Sequence, residues 1–268
     1  STPVSFDVTE ENSTQEGGIT LIKVDKPNMA QKGTISVEKT GEVFFGVNVS
    51  GEEDEDVIYQ PVYKVKGLAG AVYEITADED VITPDGTLRY HKGDVVDTVT
   101  TDEDGTAKSK ELYLGKYTVV ETKAPTGMVI NKEKHSVELT YAGQDVAVTE
   151  TATSFVNERQ KVKISLEKIL EQDETFGIGK NDEIKNISFG LYAKEDVVSS
   201  SGTVIPVDGL IEIITLDENG AATANTDLPF GSYYVKEIAT DEHYILSDTQ
   251  YPFTFEYAGQ DTETVEIK

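Results

Sequence analysis

The sequence predicts an all-β protein built as two sandwich domains in tandem, and three observations lead there. Short stretches with apolar residues at every second position are separated by Gly-, Asp- and Asn-containing turns, and no 3.6-residue periodicity is sustained anywhere. Segments recur at one offset: Tyr-Ala-Gly-Gln-Asp occupies Tyr141 to Asp145 and again Tyr257 to Asp261, 116 residues later. The same offset separates Tyr117-Thr118-Val119-Val120-Glu121 from Tyr233-Tyr234-Val235-Lys236-Glu237, and 268 residues suit two domains of ordinary size.

Taken in order, residues 1–32 read as the closing hairpin of a preceding domain, with strands at Pro3 to Val8 and Ile19 to Lys26 around a Gly17-Gly18 turn. The reason is spacing, since Asn28 stands 11 residues before Lys39 just as Asn157 stands 11 before Lys168. That hairpin has the inward row Ile22, Val24, Lys26, Asn28. Residues 33–158 form the first complete domain. Its first strand points Ile35, Val37 and Lys39 one way, and its copy aligns Ile164, Leu166 and Lys168. The two lysines are 129 apart rather than 116, so the first copy carries an acidic insertion at 51 to 60, led by Gly51-Glu52-Glu53-Asp54-Glu55-Asp56.

Further along, Leu68, Ala71, Tyr73 and Ile75 match Phe189 and Leu191 of the second copy. Asp102-Glu103-Asp104-Gly105 and Asp217-Glu218-Asn219-Gly220 are turn sequences that lead through Leu114-Gly115 or Phe230-Gly231 into the glutamate strands. The strand Ser154 to Glu158, with Phe155 and Asn157 facing inward, closes the first domain. Residues 159–268 form the second domain, expected to lack the end of its last strand.

In each glutamate strand, Tyr117, Val119 and Glu121, or Tyr233, Val235 and Glu237, share the apolar face. A buried carboxylate without a partner is costly, so each glutamate requires one. Lys39 and Asn157 end inward rows of the first domain and can meet Glu121 in one core. Lys168 is the corresponding partner of Glu237. No Asn follows Glu237, and the 36-residue spacing from Glu121 to Asn157, carried on from Glu237, arrives at position 273. Lys168 and Glu237 are therefore expected to pair without a covalent bond, and Asn28 is expected to stand unpaired.

A lysine on the first strand, the segment Tyr117-Thr118-Val119-Val120-Glu121-Thr122-Lys123-Ala124-Pro125-Thr126-Gly127 and the terminal Phe155-Val156-Asn157 together resemble the B-type repeat of collagen adhesins (CnaB), also found in SpaA-like pilins of Gram-positive bacteria. The resemblance covers nearly the whole chain, and the second copy departs from it at Ile238-Ala239-Thr240-Asp241, which lacks the Pro-x-Gly. It implies immunoglobulin-like, prealbumin-like β-sandwiches in which Lys39 and Asn157 condense spontaneously into an isopeptide bond, with Glu121 as proton shuttle and Glu237 as its equivalent. Burial favours the neutral form of either ionisable partner, and a neutral lysine is the nucleophile.

Composition narrows the function classes. A formal net charge of −27, with Arg89 and Arg159 as the only arginines, argues against nucleic acid, which requires basic patches. No apolar run reaches the roughly 20 residues of a membrane helix, so no membrane contact is expected. Neither a signal peptide nor an anchoring segment is seen, so the chain reads as an excised piece. There is no Cys, so disulfides cannot supply extracellular strength.

The acidic turns lack the spacing of calcium loops, and no metal or cofactor is implied. His91, His135 and His243 share no pattern and read as surface residues. Glycan hydrolysis needs paired carboxylates, whereas each glutamate here faces a lysine. The expectation is a non-enzymatic stalk or spacer of an extracellular, cell-wall-attached adhesin or pilin-like protein, joined to further CnaB-type domains. The alternative is an adhesin module that contacts a host or matrix protein or glycan through its loops or acidic insertion.

Overall fold

The computed structural model describes residues 5–11, 13–22, 28–51 and 57–268. Among these, regular structure is β apart from one 3-10 turn, Glu183–Asn186. The first sandwich has one sheet of Val72–Ala77, Val95–Thr100, Gly115–Lys123 and Lys134–Leu139, with the glutamate strand Gly115–Lys123 inside it. The facing sheet is organised around the lysine strand, Lys32–Ser50, which pairs in parallel with the closing strand Val148–Asn157 and antiparallel with Thr106–Lys108. Between the sheets lies a core that includes Ile35, Val37, Tyr73, Ile75, Tyr117, Val119 and Phe155.

The second sandwich repeats this plan. Leu210–Thr215, Ser188–Ala193, Gly231–Ala239 and Gln250–Phe255 form one sheet in that order. In the other, Lys161–Glu167 runs between Ala221–Thr223 and the parallel strand Thr264–Ile267. Leu191, Ile211, Tyr233 and Phe255 fill its core. Alternation puts these apolar rows inside because the strand period is two, and each sheet has one face to cover.

Residues 58–60 of the acidic insertion belong to a long arm. The lysine strand runs on for eleven residues past Lys39 to Ser50 and pairs antiparallel with Ile58–Gly67, from Thr40↔Gly67 to Ser50↔Ile58. Phe44, Val47 and Tyr59 on this arm pack against the second core, and Ile58 pairs with Leu210 of the second sandwich. A bulge at Phe45 interrupts the arm's ladder between Phe44 and Gly46. The carbonyls of Phe44 and Phe45 accept hydrogen bonds from the N–H groups of Ser200 and Ser201, at 3.0 and 3.1 Å. Residues 52–56 of the acidic insertion lie outside the described residues.

At the N-terminus, Ser13–Glu16 pairs with Ile19–Ile22 across Gly17 and Gly18, both left-handed at φ 59° and 81°. The hairpin thus starts at Ser13 rather than in Pro3 to Val8, of which Ser5 to Val8 are described and not strand. A two-residue turn with both φ positive fixes the register, so the strand must directly abut the glycines. Val24 and Lys26 lie outside the described residues, and Asn28 is exposed.

Candidate functional site

Lys39, Glu121 and Asn157 converge inside the first sandwich, 0%, 3% and 2% exposed. Lysine and asparagine come from neighbouring parallel strands of one sheet, and glutamate comes from the other sheet. Lys39 Nζ lies 3.2 Å from Glu121 Oε1 and donates to Asn157 Oδ1. Asn157 Nδ2 donates to both carboxylate oxygens, at 3.1 and 3.0 Å. The backbone N–H of Asn131 donates to Glu121 Oε2 at 2.7 Å.

Aromatic rings close the pocket around these groups. Lys39 Nζ is 5.9 Å from the Tyr73 ring centroid and 5.8 Å from that of Phe155. His135 stacks on Phe155 at 3.9 Å and its Nδ1 meets Thr153 Oγ1, so this histidine is packed rather than a free surface residue. Burial lowers the lysine pKa from its ordinary range, and Glu121 opposes that shift. Burial, followed by the Glu121 charge, raises the Tyr73 hydroxyl and keeps it neutral.

The lysine's backbone is also held. Its N–H donates to Gly105 O at 2.7 Å and its carbonyl accepts from Leu68 N–H at 3.0 Å. Gly105 is left-handed at φ 80°, and a Cβ there would stand 2.3 Å from Lys39 O, so only glycine allows the approach. Asp102 Oδ1 caps this turn by accepting from Asp104 and Thr106 N–H, which uses the carboxylate internally. Among the described residues no group of His, Cys, Asp and Glu is placed to hold a metal ion.

The second sandwich has two of the three groups. Lys168 Nζ lies 3.1 Å from Glu237 Oε1, and Ser247 N–H donates to Glu237 Oε2 at 3.0 Å. Gly220 O receives the Lys168 N–H at 2.8 Å, in the role of Gly105. Glu237 is buried but the Lys168 side chain is 28% exposed, because the strand Thr264–Ile267 reaches only as far as Ile164 and leaves the lysine uncovered. The carboxylate anchors Asn131 and Ser247 were missed in the sequence, although each stands ten residues after its glutamate. Arg159, singled out only by its rarity, sits between the sandwiches: its guanidinium lies 3.6 Å over the Tyr63 ring and pairs with both oxygens of Asp227.

Fold and site define a tandem prealbumin-like protein. The family described as SpaA, prealbumin-like fold domain, matches residues 62–153 and 174–268, and the chain belongs to it. The Bacillus anthracis TIE protein is 20% identical, with a TM-score of 0.51; the match covers 88% of this chain and 33% of that one, so this chain spans about a third of its length. A streptococcal ancillary pilin is 17% identical over 95% of this chain and 72% of its own, with a TM-score of 0.29. The major pilin subunit of Bacillus cereus is 14% identical over 88% of this chain and 98% of its own, with a TM-score of 0.27. No curated protein matches the chain.

Proposed function

We propose that the chain is a load-bearing segment of a Gram-positive surface protein, and that Lys39 and Asn157 join in an isopeptide bond assisted by Glu121. In this reading residues 33–158 and 159–268 are two CnaB-type domains, and 1–32 close a preceding one. The observation that carries it is the buried cluster itself, in which a lysine with lowered pKa touches a carboxamide and a carboxylate at once.

The chemistry balances without a cofactor. Neutral Lys39 Nζ attacks Cγ of Asn157, and a C–N bond forms. The Nδ2 group leaves as ammonia, carrying a proton that Glu121 relays from the attacking nitrogen. Fixing both groups in one core replaces a bimolecular encounter, and the product amide is not turned over.

A bond between Lys39 and Asn157 closes a span of 118 positions and joins two parallel terminal strands. Tension applied at residue 32 and at residue 158 then passes through the link and leaves the intervening chain unloaded. By analogy with disulfide loop entropy, such a closure contributes about 4–5 kcal/mol, with a larger effect on unfolding rate.

Intact mass tests the proposal: the folded protein should weigh one ammonia less than its sequence, and Glu121→Ala should restore the full mass. An unmodified wild type would refute the bond. Loss of ammonia in the Glu121→Ala protein would remove Glu121 from the reaction.

A further inference from the structure

Gln31 and Gln160 each stand eight residues before the lysine of their sandwich and grip the same type of loop. Gln160 Nε2 donates to Gly259 O at 3.1 Å and Thr262 O at 2.6 Å, and its Oε1 accepts from Ala258 N–H at 2.8 Å. Gln31 Nε2 donates to Gly143 O at 3.1 Å and to Val146 O, and its Oε1 accepts from Ala142 N–H at 3.0 Å. Gly143 and Gly259 are both left-handed, at φ 103° and 95°. The Tyr141–Asp145 and Tyr257–Asp261 loops therefore share one conformation, set by one clamp.

The second of these loops is docked. Gln260 Oε1 accepts from Ala124 N–H at 3.0 Å and Gln260 O accepts from Ile130 N–H at 2.9 Å. Tyr257 Oη donates to Met128 O at 3.2 Å, and Lys132 Nζ pairs with Asp261 at 3.0 Å. In the first loop Tyr141 is 63% exposed and Gln144 is exposed. Among the described residues, two loops of identical sequence and shape thus differ in having a docked partner loop.

We infer that the Tyr141–Asp145 loop is a docking surface for another prealbumin-like domain, one presenting a strand-exit loop built like residues 124–132. The match requires two backbone N–H groups for the oxygens of Gln144, a carbonyl for the Tyr141 hydroxyl and a cation for Asp145. This contact is independent of the isopeptide bond.

The second sandwich carries a near-replica of that partner loop. Tyr244 N–H donates to Asp241 O at 3.0 Å, as Met128 N–H does to Pro125 O, and Ser247 is anchored on Glu237 as Asn131 is on Glu121. Ile245 and Leu246 in it are 95% and 49% exposed. His243 stands where Gly127 is left-handed, and Leu114, smaller than the Phe230 that packs on Gly127, would face it. The cation is missing, because Asp248 holds the place of Lys132 and would oppose Asp145. A second copy is therefore a weak partner, and Asp248→Lys converts it into a matched one.

Sedimentation over a concentration series, at physiological salt, tests this with three proteins: wild type, Asp248→Lys, and Asp248→Lys combined with Tyr141→Ala and Gln144→Ala. Asp248→Lys should form head-to-tail oligomers, with an association constant about two- to five-fold above wild type on the scale of an exposed ion pair. The added loop substitutions, both at exposed positions, should return it to monomer. An Asp248→Lys protein that associates no more than wild type, or association that survives the loop substitutions, overturns the inference. Intact mass reports the isopeptide bond separately in every sample.

Discussion

Asn157 lies opposite Gly41 on parallel strands, two residues beyond the point where Phe155 faces Lys39. Residues two apart share a face, so the carboxamide enters the core beside a position that has no side chain. A Cβ at Gly41 would stand 2.7 Å from Asn157 O and 2.7 Å from Leu68 Cδ1.

Gly41→Ala should therefore push the closing strand away from the lysine. Overpacking of this kind costs about 1–3 kcal/mol, and a shift of the carboxamide slows an attack that depends on contact. Mass spectrometry during refolding should show ammonia lost more slowly than in wild type. Loss at the wild-type rate would mean that Gly41 does not set the approach.

Arg159 ties the two sandwiches, and its side chain is 9% exposed between Asp227 and Tyr63. Arg159→Ala strips Asp227 of its partner and opens the face of Tyr63, whose hydroxyl donates to Asp227 O at 3.1 Å. Because Asp227 is itself one-third exposed, the cost is about 1–3 kcal/mol. Small-angle scattering should show a more extended pair of sandwiches, with the deficit of one ammonia relative to the variant's own sequence retained. An unaltered scattering profile would shift the junction's stability onto the arm and the Tyr257–Asp261 loop.

His243 carries a pH dependence outside the buried cluster. Its Nδ1 lies 2.6 Å from Asp241 Oδ1, and that hydrogen bond, first among the causes, raises its pKa above the ordinary 6.5. Asp241 is held low by Asn186 Nδ2 at 2.7 Å and by His243. A base whose folded pKa is raised gives stability that is fully present below the unfolded value and is lost as pH rises through the folded one. An NMR titration should place His243 above 6.5, and Asp241→Asn should bring it down. A wild-type midpoint at or below 6.5 would contradict the pairing.

Period and repetition make much of this legible in the sequence itself. The inward rows ending in Lys39, Glu121 and Asn157 follow from alternation, and the 116-residue offset foretold a second sandwich. Three features escaped for identifiable reasons. The arm was hidden because Phe44, Val47 and Tyr59 cover another domain's core, and a strand pattern does not say whose core it faces. The anchors Asn131 and Ser247 act through backbone N–H groups, so residue type carries no signal. The Gln31 and Gln160 clamps lie outside the strand rows, and only superposing the lysine offset on the loop offset reveals them.

The parallel register yields the last prediction. In the first sandwich the closing strand places Asn157 opposite the second residue after Lys39. In the second, Lys161 pairs with Thr264 and Ile164 with Ile267, so the same register continued reaches position 273 opposite Leu170, two beyond Lys168. The spacing of 36 from Glu121 to Asn157 leads from Glu237 to the same position. Two independent measures, one along the sheet and one along the sequence, agree on where a carboxamide would meet Lys168 and Glu237. Adding residues 269–273 with Asn at 273 should cover Lys168, which is 28% exposed in the present pair, and bring the reactive groups together. The extended protein should lose a second ammonia, and Glu237→Ala should prevent only that one. If the extension adds a protected strand by hydrogen exchange but no second loss occurs, then Lys168 and Glu237 are an ion pair and not a reaction centre.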